Sequence, residues 1–398
     1  GMTIPENMKS TNLKPERKNA WEVGLDWRFF DSRIGVDLTY YKENTRNQIM
    51  TINVPWESGV KEKLINAGNI QNSGIEIALN TTPIKKKQWQ WDLNFTYTRN
   101  RNKIVELSPD VTSYINLDGA ANYGNYRIAS VAKVGSDYGM LMSDSWIKTD
   151  EKTGKPVVGY TNKFRTVYYK RGGTVKEVGS MLPNFLGSLN STLRWKDLSL
   201  YVLFDARFGG YVASYNSRYA TAYGFSGETE KYRKGMTWTS KYANAQDKVF
   251  TDGFIPDVVF DAGTIVTTPG GTNQDVSGMT YQEAYEKGYV EPAHLQSAAY
   301  FKNSWGTGVI NDDWFKKINY IALREITLSY NVPTKISSYI GAKNLSLSFT
   351  GRNLAYLLNT APNHENPESV RGTGAAQFRM RSFMPYTASY LFTLNATF

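Results

Sequence analysis

Apolar and polar residues alternate one by one along much of this chain, the pattern of a strand whose two faces meet different surroundings. The first run sets Trp21, Val23, Leu25, Trp27 and Phe29 against Glu22, Gly24, Asp26 and Arg28. The same period returns in Ile34-Val36-Leu38-Tyr40, in Ile75-Ile77-Leu79 and in Trp89-Trp91-Leu93-Phe95-Tyr97, where the intervening residues of the last run are all polar. Further runs are Leu189-Leu193-Trp195, Leu198-Leu200-Val202-Phe204, Ile326-Leu328-Tyr330-Val332, Leu345-Leu347-Phe349 and Tyr390-Phe392-Leu394-Ala396-Phe398. Helical spacing fits none of them, so the chain is predicted to be all-β with at least nine strands.

The connections sort into two kinds. Short turns follow the strands ending near Phe30, Thr82, Trp195 and Val332, and long polar segments follow those ending near Asn44, Arg101, Phe208 and Asn353. Strict short-long alternation is the topology of antiparallel outer-membrane barrels, with short turns on the periplasmic side and long loops outside. Strands of about ten residues at roughly 3.3 Å per residue, tilted by roughly 40°, span about 25 Å, the height of the apolar band of such barrels. The parity brings Phe398 to the periplasmic rim. The segments 102–182 and 209–316 are predicted to be long extracellular loop regions, with extra strands, in even number, within Tyr123 to Val134 and Val157 to Lys170.

Composition narrows the classes further. No run of about 18 apolar residues marks a membrane helix, whereas a barrel strand shows lipid only every second side chain. Aromatic residues make up 14%, with 27 Tyr and 10 Trp, types that suit sheets and membrane interfaces. Cysteine is absent, which removes disulfides and thiolate sites. A net charge of +10 would suit nucleic acid, but the cations are scattered and no nucleic-acid-binding motif accompanies them. Loops beside an anionic lipid surface account for the same charge. The start Gly1-Met2-Thr3 lacks a signal peptide, so export predicts either a cleaved leader or a fragment.

Candidate chemistry is sparse. The two histidines, His294 and His364, are far apart in sequence, and no GxSxG, HExxH or phosphate-loop pattern is present. Neighbouring carboxylates such as Asp312-Asp313, or Glu228 and Glu230, do not give the separation glycoside cleavage needs. No EF-hand loop is present, so neither metal nor cofactor is predicted, and the chain does not read as an enzyme. The loop aromatics Trp146, Tyr168, Tyr169, Tyr215, Tyr219 and Trp305 are candidate ligand contacts, since their flat faces can stack on sugar rings or on a peptide. Packing of the loops against one another is the competing role.

Ordered motifs add a resemblance. Asn12-Leu13-Lys14-Pro15-Glu16 with Trp21-Glu22-Val23-Gly24-Leu25-Asp26, Asp37-Leu38-Thr39-Tyr40-Tyr41-Lys42, and Asn66-Ala67-Gly68-Asn69-Ile70 with Asn72-Ser73-Gly74-Ile75-Glu76 come first. Pro183-Asn184-Phe185 through Phe208-Gly209-Gly210, Leu323-Arg324-Glu325-Ile326-Thr327-Leu328-Ser329-Tyr330 and Gly351-Arg352-Asn353-Leu354 follow. Together they resemble, in order, the C-terminal barrel of SusC/RagA-type TonB-dependent outer-membrane transporters, and Phe398 matches that family's barrel-assembly signal.

The resemblance implies an outer-membrane location in a Gram-negative, Bacteroidetes-like cell and import of an oligosaccharide or peptide. It also implies three partners: TonB acting on a plug, a SusD-like surface lipoprotein, and the barrel assembly machinery. Residues 1–398 would then be the C-terminal portion of the barrel, without the family's plug domain and first strands, and the native protein would be longer. The alternative is a soluble all-β glycan-binding module at the cell surface, which would bury its apolar strand face in a sandwich core.

Overall fold

The computed structural model describes residues 7–8, 13–53, 59–60, 62–66, 68–109, 111, 113–123, 126–227, 235–294, 310, 315–370, 378–380 and 385–398. Nine long strands form its main sheet: β1 (Arg17–Phe29), β2 (Ile34–Arg46), β3 (Gly68–Lys85), β4 (Trp89–Leu107), β5 (Phe185–Trp195), β6 (Leu198–Ser214), β7 (Phe315–Val332), β8 (Asn344–Asn359) and β9 (Ser389–Thr397). They pair in sequence order, each antiparallel to the next, and Arg379–Met380 adds a short parallel pairing to the end of β6. Among the described residues, no pairing joins β1 to β9.

The period-two pattern becomes two chemical faces because register holds across the sheet. Trp27, Val36, Leu79, Phe95, Leu189 and Phe204 lie side by side across six strands. One position along, the opposite face carries Asp26, Asp37, Ala78, Thr96, Ser188 and Asp205. The apolar face is not a core: Val23 is 64% and Phe392 71% exposed. Full burial of one such side chain is worth about 1.5–3 kcal/mol, so a face of this extent requires an apolar solvent. Among the described residues no second sheet covers it, which removes the sandwich alternative.

Aromatic pairs mark both limits of this face. At the short-turn end Trp89 stacks on Trp195 at 5.5 Å, and Trp27 lies 4.5 Å from Phe29. At the other end Tyr97 lies 5.3 Å from Phe185, which stacks on Phe208 at 4.8 Å, and Trp21 lies 5.3 Å from Tyr40. These are the two girdles expected where an amphipathic ring meets a membrane interface.

Two of the matched motifs have a steric basis in the wall. Gly74 faces Tyr41 in register, and a Cβ there would lie 2.5 Å from Tyr41 Cζ and 2.7 Å from the Arg99 carbonyl oxygen. The missing side chain lets the tyrosine ring lie flat over the strand, from where its hydroxyl reaches Asn100 Oδ1 at 3.2 Å. Gly209 and Gly210 have φ of +85° and +89°, and the β6–β7 register shifts between Phe208 and Tyr211. The Gly209 N–H turns to Asn319 Oδ1 at 2.8 Å, and the Asn184 N–H donates to the Phe208 carbonyl at 2.7 Å.

The strands outrun the lengths read from the sequence. β4 continues to Leu107 and β6 to Ser214, so the long connections begin later than 102 and 209. Strands do occur in the two predicted stretches: Tyr126–Lys133 in the first, paired with Tyr114–Tyr123, which precedes that stretch, and Val157–Thr161 with Thr166–Tyr169 in the second. They pair with each other and with further loop strands, in sheets separate from the wall. Val157 and Val158 pair in parallel with Val259 and Phe260, so the β4–β5 and β6–β7 connections meet in one lobe. Its core holds Val158, Val167, Phe260, Val266 and Tyr281, with helix α1 (Tyr281–Glu286) fixed by a Thr280–Glu283 capping box.

Candidate ligand-facing surface

The polar face of the wall is a lattice of side-chain hydrogen bonds. Asp92 accepts from Thr82 Oγ1 at 2.8 Å, from Gln90 Nε2 at 2.9 Å and from Arg194 Nη1 at 2.9 Å. Asn94 bonds Asn80 on one side and accepts from Asn190 at 3.4 Å on the other. Thr96 and Ser188, Thr327 and Thr350, and Ser329 and Ser348 bond across neighbouring strands at 2.6, 2.9 and 2.8 Å. Paired groups of this kind let a polar face stand beside water or a polar interior without orphaned donors.

One cluster ties wall to loop. Arg324 Nη2 lies 2.7 Å from Asp205 Oδ2 on β6 and 2.7 Å from Glu368 Oε1, and its Nη1 reaches Glu368 Oε2 at 2.8 Å. The Tyr356 hydroxyl donates to the same carboxylate at 2.8 Å. Burial pushes the Glu368 carboxyl up, but the Arg324 guanidinium and the Tyr356 hydroxyl outweigh it and hold it below the usual range. Sequence reading did not single out this cluster, although a signal was present. Arg324-Glu325 breaks the period-two alternation of β7, and the β7–β8 register shifts there.

The aromatic candidates do not converge on one site. Trp146 stacks on Phe315 at 6.0 Å and donates from Nε1 to the Ser143 carbonyl at 2.9 Å. Tyr215 is buried in the same cluster, and Tyr219 packs against it, both in the helix Tyr215–Ala222. Tyr169 packs on the separate core of the loop lobe. Tyr168 faces Gly159 in register, its ring over the glycine with Lys170 Nζ 5.6 Å from the ring centroid. Trp305 lies outside the described residues, as do Glu228, Glu230, Asp312 and Asp313.

His294 has an assigned place: its Nδ1 lies 3.0 Å from Asp252 Oδ1, and its ring packs 4.7 Å from Phe250 and 4.9 Å from Trp238. His364 ends a 3-10 turn in the β8–β9 connection. Among the described residues, no group of three or more metal-ligating side chains gathers. Phe398 is 72% exposed on the apolar face at the short-turn end, where Lys343 Nζ donates to its carbonyl at 3.2 Å.

A sheet with one exposed apolar face, two aromatic girdles and a hydrogen-bonded polar face defines a transmembrane β-barrel wall. Comparison with known proteins specifies the kind. Residues 3–161 match the family model described as TonB dependent receptor-like, beta-barrel. TonB-dependent receptor P26 of Formosa agariphila is 23% identical over 89% of this chain and 31% of its own length. TonB-dependent receptor SusC of Bacteroides thetaiotaomicron is 28% identical over 37% of this chain and 15% of its own. The solved RagAB peptide transporter superposes with a TM-score of 0.61 at 14% identity, over 96% of this chain and 35% of that one. The chain is therefore similar to the β-barrels of SusC/RagA-type TonB-dependent receptors and shares their fold, it spans at most 35% of these relatives' own length, and those relatives are receptors and transporters rather than enzymes.

Proposed function

We propose that the receptor to which this wall belongs imports a nutrient too large for passive diffusion, an oligosaccharide or a peptide, across the outer membrane. The observation that carries the reading is the segregation of the wall into a lipid-suited face and a hydrogen-bonded polar face lining a lumen. In this reading the short turns lie on the periplasmic side and the long β4–β5, β6–β7 and β8–β9 connections form the extracellular mouth. TonB, acting through a plug in the lumen, supplies the energy, and a SusD-like lipoprotein caps the mouth. Phe398 serves as the barrel-assembly signal.

The joined loop lobe supports a binding mouth, because a preformed surface loses less entropy on meeting a ligand than free loops do. The solved RagAB protein is named as a peptide transporter, which supports testing peptides beside glycans. The experiment is accumulation of labelled oligosaccharide and oligopeptide pools by cells with and without the full-length receptor, and with and without TonB. Uptake of one pool that needs both supports import. Equal accumulation of every pool in all strains sinks it.

A further inference from the structure

We propose that the outward face of β2, β3 and β4 carries a binding site for the phosphate-bearing headgroup of an outer-leaflet lipid. The cluster Arg99, Arg101 and Lys103, beside a cavity of about 420 Å³, carries the proposal. It rests on the outer-membrane reading and adds a lipid partner to it.

Unbroken register from Leu79↔Phe95 to Gln71↔Lys103 keeps Arg99, Arg101 and Lys103 on the same face as Phe95 and Tyr97. On the opposite face Tyr41 bonds Asn100, while Asn72 bonds both Glu43 and Asn102, which fixes the parity independently. Between Arg17 and the bulge after Lys103, the outward positions of β1–β4 hold Arg17, Lys42, Arg46, Arg99, Arg101 and Lys103 and no carboxylate. Every acid of those stretches, Glu22, Asp26, Asp37, Glu43, Glu76 and Asp92, falls on the lumen face. Among the described residues, none of the six outward cations makes an ion pair, whereas Lys18 and Arg28 on the lumen face do.

Height agrees with charge. Arg99 is ten residues beyond Trp89 of the opposite girdle, about 33 Å along the strand and about 25 Å across a bilayer at a tilt of roughly 40°. The cations therefore begin where the apolar band ends, immediately above Tyr97. The notch forms because β4 outruns β5: beyond Thr98, the edge of β4 faces the start of β5 and the turn at 135–137. Gln71 and Ser73 add polar groups to the cavity, and the nearby acids are Asp137 on its rim, Glu106 past the bulge and Glu177, which pairs with Lys133 and accepts from Ser136 in the 135–137 turn. Guanidinium forks grip phosphate oxygens in pairs, and a cation at headgroup level gains from anionic lipid.

The test uses the purified full-length receptor in zwitterionic detergent, titrated with fluorescent short-chain phosphatidic acid. Arg99→Gln/Arg101→Gln/Lys103→Gln weakens binding on the order of a hundredfold, roughly fivefold per cation. Arg101→Glu alone weakens it more than about tenfold, which covers a triple variant that does not fold. Lys86→Gln/Lys87→Gln at the opposite rim leaves binding unchanged, and phosphatidylcholine does not compete.

Undiminished binding in the folded triple variant or in Arg101→Glu overturns the proposal, as does equal weakening by the opposite-rim variant. Full displacement by millimolar inorganic phosphate also overturns it, assigning the site to a free anion. Each protein is run in parallel for its heat-modifiable band. A wild type with no shift defeats the barrel reading itself, while a normal shift with unselective lipid binding defeats only the lipid site.

Discussion

Trp89 on β4 and Trp195 on β5 stack with ring centroids 5.5 Å apart and planes 24° from parallel, at the end of the wall where the turns are short. Such a pair contributes about 0.5–1.5 kcal/mol beyond its burial, and at this level it also anchors the sheet to the membrane interface. Trp195→Ala in the full-length receptor lowers stability by about 1–3 kcal/mol. The readout is the temperature at which the heat-modifiable band is lost, and an unchanged temperature refutes the anchoring role.

Gly74 tests the packing of Tyr41. Gly74→Val costs about 1–3 kcal/mol by overpacking, seen as a reduced folded fraction. Tyr41→Ala restores only part of it, because the Arg99 carbonyl, 2.7 Å from the Cβ position, is backbone and cannot move aside. Full restoration by Tyr41→Ala would show that the ring is the sole obstacle.

Arg324 holds Glu368 and Asp205 together, so Arg324→Gln leaves two carboxylates facing each other across the place of their shared cation. The groups are only partly buried, so the expected loss is about 1–3 kcal/mol, below that for a fully buried pair. Its visible result is faster proteolysis in the segment around Glu368, with the loop lobe unaffected. Cleavage at the wild-type rate contradicts the tie between wall and loop.

Acid opens the loop lobe at Asp261. Burial raises this carboxyl, but the hydrogen bond and charge of Lys148, 2.7 Å away, with the charge of Lys170, outweigh it and hold it below the usual range. A carboxyl lowered by folding contributes stability above its unfolded value and loses it as pH falls through the folded one. The lobe therefore loosens below about pH 4, measured as faster amide exchange in residues 157–161 and 259–260. Asp261→Asn flattens that part of the pH dependence, and a variant with the wild-type acid profile removes Asp261 as its cause.

The nine wall strands and their short-long parity were legible because each strand has a wet and an apolar side, and that contrast repeats every second residue over nine or more positions. The lobe was legible only in the strands Val157–Thr161 and Thr166–Tyr169, because its other strands, such as Val259–Phe260 and Val249–Phe254, run only two to six residues. Pairings such as Val157↔Val259 join residues about a hundred positions apart, for which period carries no information. The Arg324 cluster was half legible: the doubled polar pair in β7 announces a bulge, but nothing in sequence names Glu368 as its partner.

Leu189 and Asn190 are neighbours near mid-height of β5 that face opposite sides of the wall. Comparing Leu189→Arg with Asn190→Arg in the full-length receptor is the most direct test of the barrel. An arginine on the lipid face near mid-membrane costs about 2–4 kcal/mol, whereas a lumen position tolerates it. The account predicts that Leu189→Arg depletes the heat-modifiable, outer-membrane form while Asn190→Arg accumulates like the wild type. Equal tolerance at both positions, or the reverse order, would contradict it.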